Sequence, residues 1–410
     1  MTAFRIPFTS ALVALLLAAC DQQENGDPPG SRGDPQPAAA PSGQADPAWN
    51  TTSWATPRGS RELQGRVNDP VPREPRIAWS VELKSPIIAD AAIAGGVVYV
   101  GTLEGVLYAL DAGTGFEKWT FRTEDDSIEA APTIAAGRVF VGANDSFFYC
   151  LDATDGTLLW KIEGGDKFPS GAMVCRSPDD TEDWVVVNGY DGLSRCLRAK
   201  DGSEVWTYET GGPINGSPAL VTAPLEARPH GGSDKPAELV VFGGCDEVIH
   251  SVLLSDGSLA NTVEVSSQII ASLATDGTMT WCGNYANEVV AADALGDQPL
   301  WVHGDQGFPF YSSPALGEKL LFMGSRDKHL HALDRRTGRN AWKFKTGSRI
   351  DGSAIVFRDA VVFGSGDGRL YALRPEDGSE LWRLDLGEGL ATSPAFAHGR
   401  IVIGGDDGTL

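Results

Sequence analysis

Three residues of this 410-residue chain carry oxygen ligands at equivalent places in a recurring pattern: Glu129, Asn215 and Asp351. Carboxylate and amide oxygens are hard donors, the types that surround calcium. Each follows an apolar residue that opens a short extended run, Ile128, Ile214 and Ile350. The same place holds Ile88, Pro169, Ile270, Tyr311 and Ala391 in the other copies. The three donors thus belong to the second, fourth and seventh copies, and a ring would hold them too far apart to share one ion easily. A zinc pair at His329 and His331 is open by strand alternation, but His331 takes a slot filled by Tyr108, Tyr149 and Tyr371 in other copies, which favours packing. Cys150, Cys175, Cys196, Cys245 and Cys282 include no adjacent pair and no CxxC. They read as small buried thiols rather than a disulfide framework. No GxSxG elbow, phosphate loop or HExxH occurs, so no catalytic residue is assigned.

These candidates are positioned by a repeat. The unit "ALDAGTGFEKW" (109–119) returns as "CLDATDGTLLW" (150–160), "CLRAKDGSEVW" (196–206), "ALDRRTGRNAW" (332–342) and "ALRPEDGSELW" (372–382), with a weaker copy ending at Trp301. Trp79, Trp119, Trp160, Trp206, Trp301, Trp342 and Trp382 mark the slots, mostly 40 or 41 residues apart, and Asn261 stands in one slot. That period is one propeller blade. Each unit divides into four short apolar runs joined by Asp-Gly and similar turns, so it is built from strands.

Eight slots predict an all-β, eight-bladed propeller. Trp79 belongs to a last strand with no earlier strands upstream, while "LATSPAFAHGRIVIGGDDGTL" (390–410) supplies first and second strands and the start of a third. The last blade is therefore expected to be closed by N- and C-terminal strands, which removes two open edges. Its third strand looks short, from a clipped chain or an incomplete blade. A second column agrees: three residues after each opening apolar residue stand Asp90, Ala131, Gly171, Ser217, Ser272, Ser313, Ser353 and Ser393. Small side chains are what a crowded ring axis admits.

The tryptophan-ended unit resembles the repeats of bacterial PQQ-like propellers, a family that includes quinoprotein alcohol dehydrogenases and the outer-membrane assembly lipoprotein BamB. The resemblance runs from about Trp54 to Leu410, because "WATPRGSRELQG" (54–65) is similar to a preamble that often precedes such propellers. It implies that each Trp packs on the turn of the neighbouring blade. It also implies two functions. A dehydrogenase would bind pyrroloquinoline quinone with calcium, for which Glu129, Asn215 and Asp351 are the candidates. The vicinal cysteine pair usual in such enzymes is absent, few long insertions wall the site, and no Lys or Arg falls in the column, although Arg349 is near. The preferred reading is a BamB-like protein-binding scaffold without a cofactor, not an enzyme; a PQQ-like repeat protein with another partner is the further alternative.

The N-terminus bounds location. Residues 1–20 carry one Arg5, an apolar core and "LAAC", which resembles a bacterial lipobox with Cys20 as the lipidated residue. Residues 21–53 are rich in Pro, Gly and Ala and read as a flexible tether, leaving 54–410 as the propeller. The expectation is a lipid-anchored protein of the bacterial cell envelope that faces the periplasm, on the inner or the outer membrane. A net charge of −22 argues against nucleic acid as partner. Envelope proteins, including an outer-membrane assembly machinery, are the expected partners. Two first-to-second-strand turns are long, 175–183 and 221–238, and are candidate docking loops on one face.

Overall fold

Asp-Gly turns and alternating apolar runs predict hairpins, and the computed structural model consists of them. It describes residues 51–124, 126–223, 237–304 and 307–410. Cys20, the signal segment and nearly all of the expected tether lie outside the described residues, as does most of the long turn at 221–238. The first blade shows the plan: Ala92–Ala94, Val97–Gly101, Val106–Asp111 and Glu117–Arg122 pair antiparallel in sequence order. Second strands such as Val361–Ser365 are buried along their whole length, whereas outer strands such as Asn340–Lys345 (NAWKFK) alternate and turn Lys side chains to water. Charge on the outer strand protects the edge that each blade leaves unpaired.

The blade count differs from the sequence expectation. There are seven four-stranded blades, not eight. The last unit forms only a two-stranded sheet, Ala395–Ala397 with Arg400–Val402. The Trp slots overcount because Trp79 and the run 390–410 each supply slot features without the strands between them. The two chain segments nevertheless meet here. Glu82 bridges Thr409 antiparallel, and Val81 and Leu410 exchange both backbone hydrogen bonds, at 3.0 and 2.9 Å. We refer to this junction as the closing sheet.

The opening apolar residues, Ile87, Ile128, Phe168, Ile214, Ile269, Phe310, Ile350 and Leu390, are all buried and lie just ahead of the ladder of each inner strand. Their burial has a mechanical reason. A Cβ on Gly101, Gly142, Gly243, Gly283, Gly324, Gly364 or Gly404 would come within 3 Å of this residue in the next unit. Glycine at the end of the second strand therefore lets the next inner strand close in.

The segment before the first blade is not a tether at its C-terminal end. Residues 51–69 run around one end of the ring as a strap, hydrogen-bonding from backbone to successive inner strands. His398 N donates to Thr51 O, Trp54 and Ile93 exchange both bonds, and Ile134 N donates to Ala55 O. Leu220, Thr275, Leu316 and Val356 donate in turn to Arg61, Glu62, Gln64 and Gly65. The strap closes on itself where Thr51 N donates to Asp69 Oδ2 at 2.8 Å.

Candidate functional site

The ring encloses an axial well built from the residues ahead of each inner strand. In every unit the opening residue and the residue two further on are buried, and the residue between them is partly exposed: Ile88, Glu129, Pro169, Asn215, Ile270, Tyr311, Asp351 and Ala391. That alternation turns one set into the blades and the other toward the axis. One level deeper lies the small-residue column, and it is more than a steric fit. The backbone N–H of Ser217 donates to Ser272 Oγ at 2.9 Å, Ser313 N to Ser353 Oγ at 2.8 Å, Ser353 N to Ser393 Oγ at 2.9 Å, and Ser393 N to Asp90 Oδ1 at 2.7 Å. Each bond crosses from one unit to the next, so this part of the column is a hydrogen-bonded belt, with Ser313, Ser353, Ser393 and Asp90 as its longest run.

The strap forms the floor. A Cβ on Gly171, in the third blade, would sit 2.4 Å from the Pro57 ring, while Arg58 Nη2 donates to Ala354 O in the seventh blade at 2.5 Å. Arg58 O accepts Gly65 N at 3.0 Å and Gly65 O accepts Val356 N at 2.7 Å, so Arg58 sits where the strap turns back beside the seventh blade. Its side chain needs a glycine there, since a Cβ on Gly65 (φ +61°) would lie 2.1 Å from Nη2. Arg58 is 4% exposed, and its Nε and Nη1 have no hydrogen-bond partner. Burial lowers the guanidinium to about 10, against the opposing charge of Asp90. Burial likewise raises the Asp90 carboxyl, offset in part by the Ser393 N–H and by Arg58. Unpaired buried charged donors cost stability, on the order of 1–3 kcal/mol or more each.

At the opposite end the rim carries charge and aromatic rings. Arg326 stacks on Tyr311 at 3.8 Å and donates through Nε to Asp351 Oδ1 at 2.8 Å; Arg349 Nε lies 2.7 Å from the other carboxylate oxygen. Tyr285 meets Tyr311 edge to face at 5.7 Å. Burial raises Asp406, with Arg349 lowering it and Asp351 raising it.

The three sequence candidates are not brought together. Glu129 Oε1 accepts from Asn144 Nδ2 at 2.8 Å, Asn215 Nδ2 donates to Cys245 Sγ at 3.3 Å, and Asp351 is held by two arginines. Among the described residues no group of three His, Cys, Asp or Glu side chains could hold a metal ion. The minority calcium and quinone candidates are thus each engaged by a different partner. His331 is fully buried with Nε2 2.9 Å from Asp327 Oδ2, the packing role that its slot predicts. His250 pairs with Asp246, and Tyr149 and Tyr371 donate to Asp145 and Asp367, across the same hairpin in their own blades. Cys150, Cys175, Cys196 and Cys282 are buried, and burial pushes the Cys150 thiol up to about 11 and those of Cys175 and Cys282 to about 12.

The Trp slots join blades. Each indole N–H donates to a backbone carbonyl of the following unit: Trp79 to Ala112, Trp119 to Ala153, Trp160 to Ala199, Trp206 to Leu254, Trp301 to Arg335 and Trp342 to Pro375, at 2.8–3.2 Å. Trp382 donates to Pro72 at 2.9 Å, where the chain leaving the strap stands in for the missing turn. Asn261 copies the polar half of this contact, reaching Ala294 O and Gly296 O. Six of these rings cover a left-handed glycine, such as Gly378 over Trp342. The turn facing Asn261 has no left-handed glycine, which accounts for the lost indole.

Sequence reasoning missed Arg58, Arg326 and Tyr285. The last two occupy one hairpin position, also that of Asn144 and Cys245, and aligning it as a third column would have exposed the rim. Arg58 lies outside the repeats and has no such signal.

Seven such blades, their inner strands around an axis and their indoles on the next turn, define a β-propeller of PQQ-like repeats. The family model described as outer membrane protein assembly factor BamB matches residues 64–216, 167–344 and 326–410, and the chain belongs to that family. Among solved structures, BamB from Moraxella catarrhalis is similar at 19% identity with a TM-score of 0.62, over 81% of this chain and 94% of that one. The quinohemoprotein alcohol dehydrogenase from Comamonas testosteroni is similar at 14% identity and a TM-score of 0.70, over 86% of this chain and 76% of that one. A europium-containing methanol dehydrogenase gives 13% and 0.66, over 86% and 90%. At these identities the structural likeness shows the fold alone. No curated protein gives a significant match.

Proposed function

We propose that this protein is a non-enzymatic, protein-binding propeller of the bacterial envelope, BamB-like in serving outer-membrane protein assembly. The observation that carries this reading is the rim opposite the strap. Phe308 is 51% exposed, Ile88 39% and Tyr285 42%, the last against Tyr311 of the Arg326–Tyr311 stack. Aromatic and arginine side chains on a rigid frame are the types that dominate protein interfaces. The dehydrogenase alternative needs an oxygen-ligand group that Glu129, Asn215 and Asp351 do not assemble. Cys20 is the proposed lipid anchor and the periplasm the proposed location.

A photo-crosslinking residue at Tyr285 or Phe308 is expected to capture envelope proteins of the assembly machinery in living cells, while one at Phe116, 75% exposed on an outer turn, captures none. Equal capture from all three sites would reject the rim as the docking face. In the same cells Cys20→Ser should move the protein to the soluble fraction, and continued membrane association would reject the anchor.

A further inference from the structure

We propose that the floor of the axial well is a binding site for a small oxyanion of the phosphate or carboxylate class, held by Arg58. This goes beyond the scaffold reading and does not depend on any protein partner.

The argument starts from donors without acceptors. Arg58 is buried in the strap beside the seventh blade with Nε–H and Nη1–H₂ unpartnered, and only Nη2 is used, on Ala354 O. Guanidinium N–H groups are planar, permanently charged donors whose strong partners are carboxylates and phosphates. The belt just above adds more donors. Ser272 Oγ and Ser353 Oγ each accept a backbone N–H from the preceding unit, so each hydroxyl proton remains to be donated. Ser353 directly precedes Ala354, the residue whose carbonyl Arg58 holds.

The acceptor side is nearly spent. Asp90 is the carboxylate close enough to act on Arg58 electrostatically, yet no hydrogen bond joins them, and its Oδ1 is committed to Ser393 N. An anion between them would gain from Arg58 and lose to Asp90, so the two residues should move its affinity in opposite directions. Placement favours a small ligand. The strap closes one end.

The test uses the full folded chain, with sodium phosphate and sodium acetate as probes against sodium chloride at matched ionic strength. Saturable heat at one site per chain in calorimetry, with a matching rise in melting temperature, is expected for at least one oxyanion. Arg58→Met should weaken it by about tenfold or more, as loss of a charge-assisted contact requires. Asp90→Asn, which keeps an oxygen acceptor for Ser393 N, should tighten it by roughly tenfold through lost repulsion at close range. If Arg58→Met does not fold, the sign of the Asp90→Asn effect decides. Heats no different from sodium chloride, an unchanged affinity in Arg58→Met, or weaker binding in Asp90→Asn would each overturn the site. So would a crystal structure grown in phosphate that shows only water on Nε and Nη1.

Discussion

Asp90 Oδ1 accepts the backbone N–H of Ser393 at 2.7 Å, and this bond ties the first unit of the chain to the last. It is the final link of a run that passes from Ser313 through Ser353 and Ser393 to Asp90. Asp90→Ala leaves a buried N–H without an acceptor, at a cost of about 1–3 kcal/mol, whereas Asp90→Asn retains one. The alanine variant should melt clearly below the asparagine variant. Equal melting temperatures would mean that the bond does not help to hold the ring closed.

Much of this frame was legible because a repeat states the same constraint many times. The slot tryptophans, the apolar column and the small column each answer one contact made between neighbouring units. The blade count was not legible from those columns. Trp79 and Leu390–Leu410 carry slot features, but only a two-stranded sheet and a bridge form there. The site was hidden for the opposite reason. Arg58 occurs once, outside the repeats, and meets Ala354 at a separation of 296 residues. Local pattern has no access to such a contact. Glu129, Asn215 and Asp351 share one repeat position, but their partners Asn144, Cys245 and Arg326 come from a different hairpin column that the sequence reading did not align.

Docking on glycine can be separated from glycine's backbone freedom. Gly378 (φ +71°) and Gly137 (φ +75°) would both pay for a left-handed alanine, but a Cβ at 378 would sit 2.6 Å from the Trp342 ring and one at 137 would meet nothing within 4 Å. Gly378→Ala should therefore cost about 1–3 kcal/mol more than Gly137→Ala, the usual penalty of overpacking. Trp342→Phe should lose about 1 kcal/mol with its Nε1–H bond to Pro375 O. Chemical denaturation of the three variants checks both figures. A smaller loss for Gly378→Ala than for Gly137→Ala would contradict the docking geometry.

Acid should loosen the blades through their hairpin aspartates. Burial alone would raise Asp191, Asp246 and Asp327, but Arg195, His250 and His331, with nearby backbone N–H groups, hold all three below the ordinary value of 3.8. A folded-state value below the unfolded one gives stability that is present above pH 3.8 and lost as pH falls through the lowered values. Asp90 has the opposite sign, since its folded value is raised and its ionisation costs stability at higher pH. Asp406 is raised like Asp90, while Asp111, Asp155, Asp179, Asp201, Asp334 and Asp377 are lowered like the hairpin three, so a net fall in melting temperature is predicted below about pH 4. Asp246→Asn should flatten part of that fall while lowering stability at neutral pH. A steeper acid fall in this variant would show that the His250–Asp246 pair is not its source.

Calcium offers the sharpest check on the rim. An ion needs several oxygen ligands within about 2.3–2.6 Å, and the three candidate donors are engaged in separate sectors by Asn144, Cys245 and the pair Arg326 and Arg349. To reach a shared ion, Asp351 would have to release two arginines at once, and Glu129 would have to cross the well. Millimolar calcium chloride should therefore leave the melting temperature where magnesium chloride leaves it, since a ligand raises stability only by binding the folded state. A calcium-specific rise of several degrees that disappears in Asp351→Asn would return the metal role to these residues, and with it the case for a quinoprotein enzyme.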